Sequence, residues 1–432
     1  MFVSDSLQIN AQGHLTIGDC DTVLLAQEFG TPLFVMDEEQ IRETCRMYRN
    51  SLDIYYNGRG MILYASKAFS CKEMCRIVQE ENLGLDVVSG GELYTALAAG
   101  FPPERIHFHG NNKTESEMNY ALEQNVGHFV VDNLFELETL DRLAARLHKT
   151  AKISLRIKPG IEAHTHEAVM TGQIDSKFGF ALETGEAMEA VKFAAKFAHI
   201  SLQGLHSHIG SQIFDIVPFE SAAQVMLRFM NQIRTETDIT ITELNLGGGF
   251  GIKYTDADSP VPYGDYMKRI SQVIAQTCQE LNFPVPYIFM EPGRSIVGEA
   301  GITLYRVGGI KQIPDVRTYV SVDGGMTDNP RYALYGSAYN VLVANKAGQP
   351  ATQTVTVAGR CCESGDLIQE HVQIQPVEVG DLLAVLSTGA YNYSMASHYN
   401  RLPKPAVVMV KNGVPRLVIK RESYEDLIRN DI

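Results

Sequence analysis

"MILYASKAFS", residues 61–70, decides the fold, because a lysine stands where a buried strand should end. Met61 to Ala65 read as a short apolar strand. Lys67 follows three positions past Tyr64, and Ala68 and Phe69 return to apolar character, so the lysine belongs to no solvated charge run. A flexible cation at the mouth of a core strand needs a reason. Working outward, seven more runs repeat the apolar pattern: "LGLDVVS", "RIHFHG", "HFVVDN", "KISLRIKPG", "LQGLHSHIG", "TELNLGGG" and "YIFMEPG". Helix-permissive stretches such as "SGGELYTALAAG" and "NLFELETLDRLAARLHK" separate most of them. Eight strand–helix units over about 250 residues is the size of a closed parallel (β/α)8 barrel. A doubly wound open sheet is the rival, but no dinucleotide fingerprint lies near the first strand.

After Ser295 the texture changes to short β-rich runs cut by Gly and Pro, among them "GEAGITLYRVGGIKQIPDVRTYVSVDGG", "ATQTVTVAG" and "AVVMVKNGVPRLVI". The N-terminal "LQINAQGHLTIG" reads as a hairpin turning at "AQG" and joins that β-rich part. The expected class is therefore α/β plus all-β. The barrel is placed at 35–283, and 1–34 with 284–432 form a β domain.

With 432 residues, 45% apolar and 20% charged, the chain is globular, and a net charge of -14 argues against a nucleic-acid surface. "MFVSDSLQIN" lacks the basic start and apolar stretch of a signal peptide, and no run has the length of a membrane span. Seven cysteines are an odd number without a disulfide framework, so a reducing cytoplasm is the expected home. Cys71 and Cys75 read as buried structural thiols.

Barrel chemistry comes from the C-terminal strand ends. Those positions hold Lys67, Asp86 with Ser89, His109 with Asn111, Asp132, Arg156, His206 and His208 with Ser211, Asn245, and Glu291 with Arg294. Gly247, Gly248 and Gly249 after the seventh strand suit a phosphate, since no side chain keeps backbone N–H groups away; a plain flexible turn is the bland alternative. A phosphate together with a carbonyl-attacking lysine in a desolvated pocket points to pyridoxal 5'-phosphate. Glu291 is placed to meet the pyridine nitrogen, although a lone glutamate is more often a structural cap or ion pair. His208 could stack on the ring and Ser211 donate to the phosphate. His206 with His208, and His164 with His166, are conceivable metal pairs, but further ligands at recognisable spacing are missing and no metal is expected.

The motifs "YASKA", "DVVSGGEL", "TGQIDSKFG", "LHSHIGSQ", "LNLGGGFG", "EPGRSIV", "DGGMTDNPRYALYG" and "CESGD" cover nearly the whole chain. Together they resemble the diaminopimelate decarboxylases, within the fold-type III pyridoxal-phosphate-dependent decarboxylases of the alanine-racemase-like barrel kind. The resemblance implies Lys67 as the lysine that bonds the cofactor aldehyde, His208 on its ring, and Ser211 with Gly247, Gly248 and Gly249 at its phosphate. Glu291 would meet the pyridine nitrogen, with Gly293 and Arg294 in the same loop. Arg294, Arg331 and Tyr335 would hold substrate, and Tyr391 would touch phosphate and substrate. Cys362 and Glu363 would reach into a homodimer partner's site, Cys362 as proton donor. The implied reaction takes meso-2,6-diaminopimelate to L-lysine and CO2. Two positions depart from the family pattern: Arg360 and Cys361 precede the motif cysteine, and His398 stands where Asn is common. Rivals are a decarboxylase of ornithine or arginine, an alanine racemase, and a non-catalytic cofactor-binding regulator. The racemase would lack "CESGD", and a dead regulator would be expected to lose Lys67 or Cys362.

Overall fold

Short, mostly buried apolar runs bounded by turn signals suit the interior strands of a covered parallel sheet. All eight form. They are β1 Gly60–Ala65, β2 Gly84–Val87, β3 Ile106–Phe108, β4 His128–Val131, β5 Ala151–Lys158, β6 Ile200–His206, β7 Glu243–Asn245 and β8 Tyr287–Met290. Each pairs in parallel with the next, and β8 returns to β1 through Ile288↔Gly60, Phe289↔Met61 and Met290↔Ile62, which closes the barrel. The open-sheet rival is thereby excluded. The computed structural model describes residues 2, 4, 6–161 and 176–432. His164, His166 and most of "TGQIDSKFG" lie outside the described residues.

The helices start where the sequence supplies a cap. Ser89, Thr114 and Asn133 each accept the N–H three residues on, from Glu92, Glu117 and Glu136. Such a cap contributes about 1 kcal/mol and fixes where the strand-end loop gives way to helix. Cys71 caps Lys72–Glu80 through its sulfur, 3.4 Å from the Met74 amide. Burial pushes the Cys71 and Cys75 thiols up to about 11 and about 12, which makes them the inert structural pair their sequence setting implies.

Two compact units divide the chain: Thr44–Gly251 with Pro260–Gly293, and Met1–Glu43 with Ile252–Ser259 and Arg294–Ile432. The expected boundaries at 34/35 and 283/284 therefore move, and strand partnership is the reason. Leu33–Asp37 pairs antiparallel with Gly301–Leu304 and parallel with Ala406–Val410, so it is a strand of the β-rich unit. Tyr287–Met290 lies between β7 and β1 and belongs to the barrel. The β-rich unit is built on a long sheet ordered Leu367–Ile374, Gln353–Ala358, Arg317–Val322, Gly301–Ile313, Leu33–Asp37, Ala406–Lys411, Val414–Ile419. The N-terminal hairpin forms, Leu7↔Ile17 to Ile9↔Leu15, and its Leu7, Leu15 and Ile17 share a core with Val35, Ile302 and Leu304.

Candidate active site

Glu291 leaves β8 as a fully buried carboxylate, and three other strands supply its partners. Asn245 at the end of β7 donates Nδ2–H to Oε1 at 2.6 Å, and His206 at the end of β6 places Nε2 3.0 Å from Oε2. His109, just past β3, brings Nε2 to 2.9 Å from Oε1. Burial alone would raise this carboxyl, but His109 and His206 outweigh it and hold Glu291 well below the usual carboxylate range. Burial pushes His206 down to about 4, so it serves as a neutral imidazole. Asp86 of β2 goes the other way. Burial raises it, His109 opposes, and the Glu291 charge raises it again, with His109 Nε2 3.8 Å from its Oδ1. Neighbouring carboxyls driven apart in this way mark acid–base chemistry. A carboxylate offers about four acceptor positions. Asn245 and His206 take one position on each oxygen and His109 Nε2 lies close to Oε1 without a hydrogen-bond geometry, so acceptor capacity is left for a ligand N–H.

His109, His206 and Glu291 bring potential metal-ligand atoms within 4.8 Å of one another. His206 Nε2 is hydrogen-bonded to the carboxylate, and His109 Nε2 lies 2.9 Å from it.

The glycine run closes on the same centre. A Cβ at Gly247 would lie 2.7 Å from the Ser207 carbonyl oxygen and 2.9 Å from His208 Nδ1. At Gly248 it would lie 2.1 Å from the Glu291 carbonyl oxygen, and at Gly249 2.4 Å from that of Gly210. Only glycines let this backbone nest against the segment carrying His208 and Ser211. The Gly248 N–H donates to His208 Nδ1 at 3.4 Å. Burial, with the nearby Lys67 and Arg156 charges, drives His208 well below its ordinary value, so its ring is a neutral flat face. Gly293 is required too, since a Cβ there would lie 2.9 Å from Ala65 Cβ and 3.2 Å from Ala68 Cβ, on either side of Lys67.

Lys67 itself sits in a 3-10 turn, Ser66–Ala68, straight after β1. The expected desolvation is not supplied by the chain alone: Ser66 and Ala68 are buried, while Lys67 is exposed. A long side chain leaving the open end of a barrel meets water unless something covers it.

The remaining candidates lie in the β-rich unit. Arg294 is buried, donates Nη1–H to the Tyr254 hydroxyl at 2.5 Å, and lies 4.7 Å from the Tyr391 ring centroid. Arg331 is ringed by Tyr254, Tyr335 and Tyr391 at 5.7, 5.5 and 5.9 Å. It donates to Ser337 Oγ at 3.2 Å, while its buried Nε has no hydrogen-bond partner among the described residues. A guanidinium among rings, with no carboxylate in ion-pair reach among the described residues, is poised for an incoming anion. Tyr391 holds φ 63°, a left-handed conformation rare for an aromatic residue and concentrated at functional sites.

The adjacent cysteines differ. Cys361 is half-buried, and burial with the nearby Asp366 charge pushes its thiol up to about 12. Cys362 is exposed, its amide donating to Asn400 Oδ1 at 2.8 Å, and Glu363 beside it is exposed too. His398 Nε2 lies 2.6 Å from Glu422 Oε2.

The chain matches the family "Pyridoxal-dependent decarboxylase, pyridoxal binding domain" over residues 38–298. It is 48% identical to the diaminopimelate decarboxylase of Bacillus subtilis (strain 168), across 100% of this chain and 98% of that protein. The chain belongs to the diaminopimelate decarboxylase family. The Staphylococcus aureus (strain COL) family member is 49% identical over 99% of both chains. The crystal structure of diaminopimelate decarboxylase from M. jannaschii in complex with L-lysine superposes with a TM-score of 0.92 at 35% identity, covering 100% of this chain and 99% of that one. The barrel plus β-sheet architecture is therefore the alanine-racemase-like fold of these decarboxylases, and the cofactor is pyridoxal 5'-phosphate. The residues present fit that group: a glycine cradle that any Cβ would fill, a neutral ring face at His208, and an ionised carboxylate with acceptor capacity left beside Asn245 and His206. His109, His206 and Asn245 surround Glu291; the sequence marked His109 and Asn245 only as polar strand ends, and His206 also as half of a conceivable metal pair. Their shared target, Glu291, was the available signal.

Proposed function

We infer that this protein decarboxylates meso-2,6-diaminopimelate to L-lysine and CO2, a pyridoxal-phosphate-dependent carboxy-lyase reaction that completes lysine biosynthesis. The observation that supports it is Glu291, buried, ionised, hydrogen-bonded by Asn245 and His206 with His109 close by, and with acceptor capacity left for a pyridinium N–H. When bound, the cofactor supplies an electron sink for the pair left behind as CO2 departs. Lys67 would hold its aldehyde end, Ser211 and the Gly247–Gly249 amides its phosphate, His208 its ring face and Glu291 its ring nitrogen. Arg294, Tyr335 and Tyr391 would orient substrate, and Arg331 would take a carboxylate in a bidentate grip. Cys362 Sγ would carry the proton that replaces the lost carboxylate, with Glu363 beside it on the substrate amine.

Cys362 and Glu363 stand on a solvent-facing loop, which supports a homodimer in which each chain lends that loop to its partner's site. No disulfide joins cysteines among the described residues, and no described helix is long and apolar enough to cross a membrane.

The test is CO2 release with meso-diaminopimelate, ornithine and arginine as separate substrates. Release from the first with stoichiometric lysine is expected; turnover confined to ornithine or arginine would reassign the substrate. Arg331→Ala should raise KM by roughly 10- to 100-fold, the loss of one charge-assisted contact of about 1.5–3 kcal/mol. An unchanged KM would remove Arg331 from the substrate site.

A further inference from the structure

Asp366 closes the "CESGD" motif and has no part in the chemistry above, yet its carboxylate is buried at the crossing of two loops. Its Oδ1 accepts the Met326 N–H at 2.6 Å, and its Oδ2 accepts the Cys361 N–H at 2.7 Å. Both loops make room with glycine: a Cβ at Gly359 would lie 2.2 Å from Oδ2, and one at Gly325 2.5 Å from Oδ1. The Gly359 N–H also donates to the Asp366 carbonyl at 2.9 Å, and the Arg360 N–H to that of Gly324 at 3.0 Å. On its far side the Met326 loop is fixed by Asp328, whose Oδ1 accepts from the Gly325 N–H and the Thr327 hydroxyl, both at 3.1 Å. Among the described residues no Lys or Arg lies in ion-pair reach of Asp366. A buried carboxylate without a cation is costly unless amides satisfy it, and here each oxygen takes one from a different loop.

One of those loops runs into Arg331 and the other into Cys362. We propose that Asp366 is a positioning residue, a clasp between the two loops that turns Cys361 inward and so presents Cys362 to the reaction. Arg360 to Cys362 form a bend in which Cys361 is half-buried and Cys362 exposed, so fixing the Cys361 amide fixes which thiol is offered. The role of Cys362 rests on the function proposed above; the clasp itself does not.

Asp366→Asn keeps one acceptor oxygen, but its NH2 must face one of the two N–H donors, so one loop is released. In the cofactor-loaded protein kcat should fall ~10- to 100-fold, the scale of a misplaced catalytic group. Alkylation of Cys361 by iodoacetamide, mapped by mass spectrometry, should quicken by about tenfold or more as that thiol is uncovered. The visible cofactor band, which depends on barrel residues, should persist. Gly359→Ala, which pushes the carboxylate from the other side, should do the same. A folded variant in which Cys361 stays protected, or in which kcat stays within about twofold of wild type, overturns the clasp. Should both variants fail to fold, hydrogen exchange on the wild-type holoenzyme decides: the Met326 and Cys361 amides should be protected together, and exchange of either at an open-loop rate contradicts the proposal. Full activity in Cys362→Ala would fell the proton-donor reading alone and leave the Cys361 alkylation rate to judge the clasp.

Discussion

Lys67→Ala should abolish turnover, lowering kcat by roughly 10⁴-fold or more, the order seen when a covalent catalytic group is removed. The residue follows β1 directly, and Ser66, Ala68 and Gly293 fix the turn that carries it. The cost is to chemistry and not to folding, because the exposed side chain carries none of the barrel's core. Borohydride treatment followed by peptide mapping separates the two. Wild-type protein should carry the reduced cofactor on the Lys67 peptide, and the variant on no peptide while its thermal unfolding stays close to wild type. Cofactor fixed on another lysine would reassign the attachment point.

Cys362→Ala should lower kcat by ~10²–10⁴-fold, the range for a positioned general acid, while Cys361→Ala should change little. The asymmetry follows from environment. Cys361, pushed up to about 12 by burial and Asp366, gives up its proton too reluctantly at neutral pH to be the donor. Cys362 is the exposed thiol of the pair. The reverse pattern would show that the loop turns over before it acts. The same variant tests the shared-site dimer. Mixing inactive Lys67→Ala and Cys362→Ala chains should restore part of the activity if each chain lends its cysteine to the other. Mixtures that remain dead would place complete sites within single chains.

The eight barrel strands are legible in the sequence because each is a continuous apolar run with a polar group at its end. The unit boundaries are not. Leu33–Asp37 is as apolar as any barrel strand, and only its pairing with Gly301–Leu304 and Ala406–Val410 assigns it elsewhere. Glu291 could be found from its place after the eighth strand, but its donors could not be grouped with it. His109, His206 and Asn245 lie between 46 and 182 residues before it, and barrel closure alone brings β3, β6 and β7 around one carboxylate. The desolvation expected of Lys67 is not seen in the chain by itself: the residues on either side are buried while the lysine is exposed, although its charge still reaches His208 and Asp86. Motif spacing made Cys362 the expected proton donor, whereas the difference in burial between the two cysteines was not readable, since Asp366, which binds the Cys361 amide, draws its other partner from the separate Met326 loop.

The most direct measurement is ¹⁵N NMR of the protein loaded with pyridoxal phosphate labelled at the ring nitrogen. If Glu291, held low by His109 and His206, serves the electron sink, that nitrogen should be protonated in wild-type protein and should lose its proton in Glu291→Gln. A ring nitrogen unprotonated in the wild type, or indifferent to the substitution, would contradict the assignment of Glu291 and with it the account of how this barrel stabilises the departing charge.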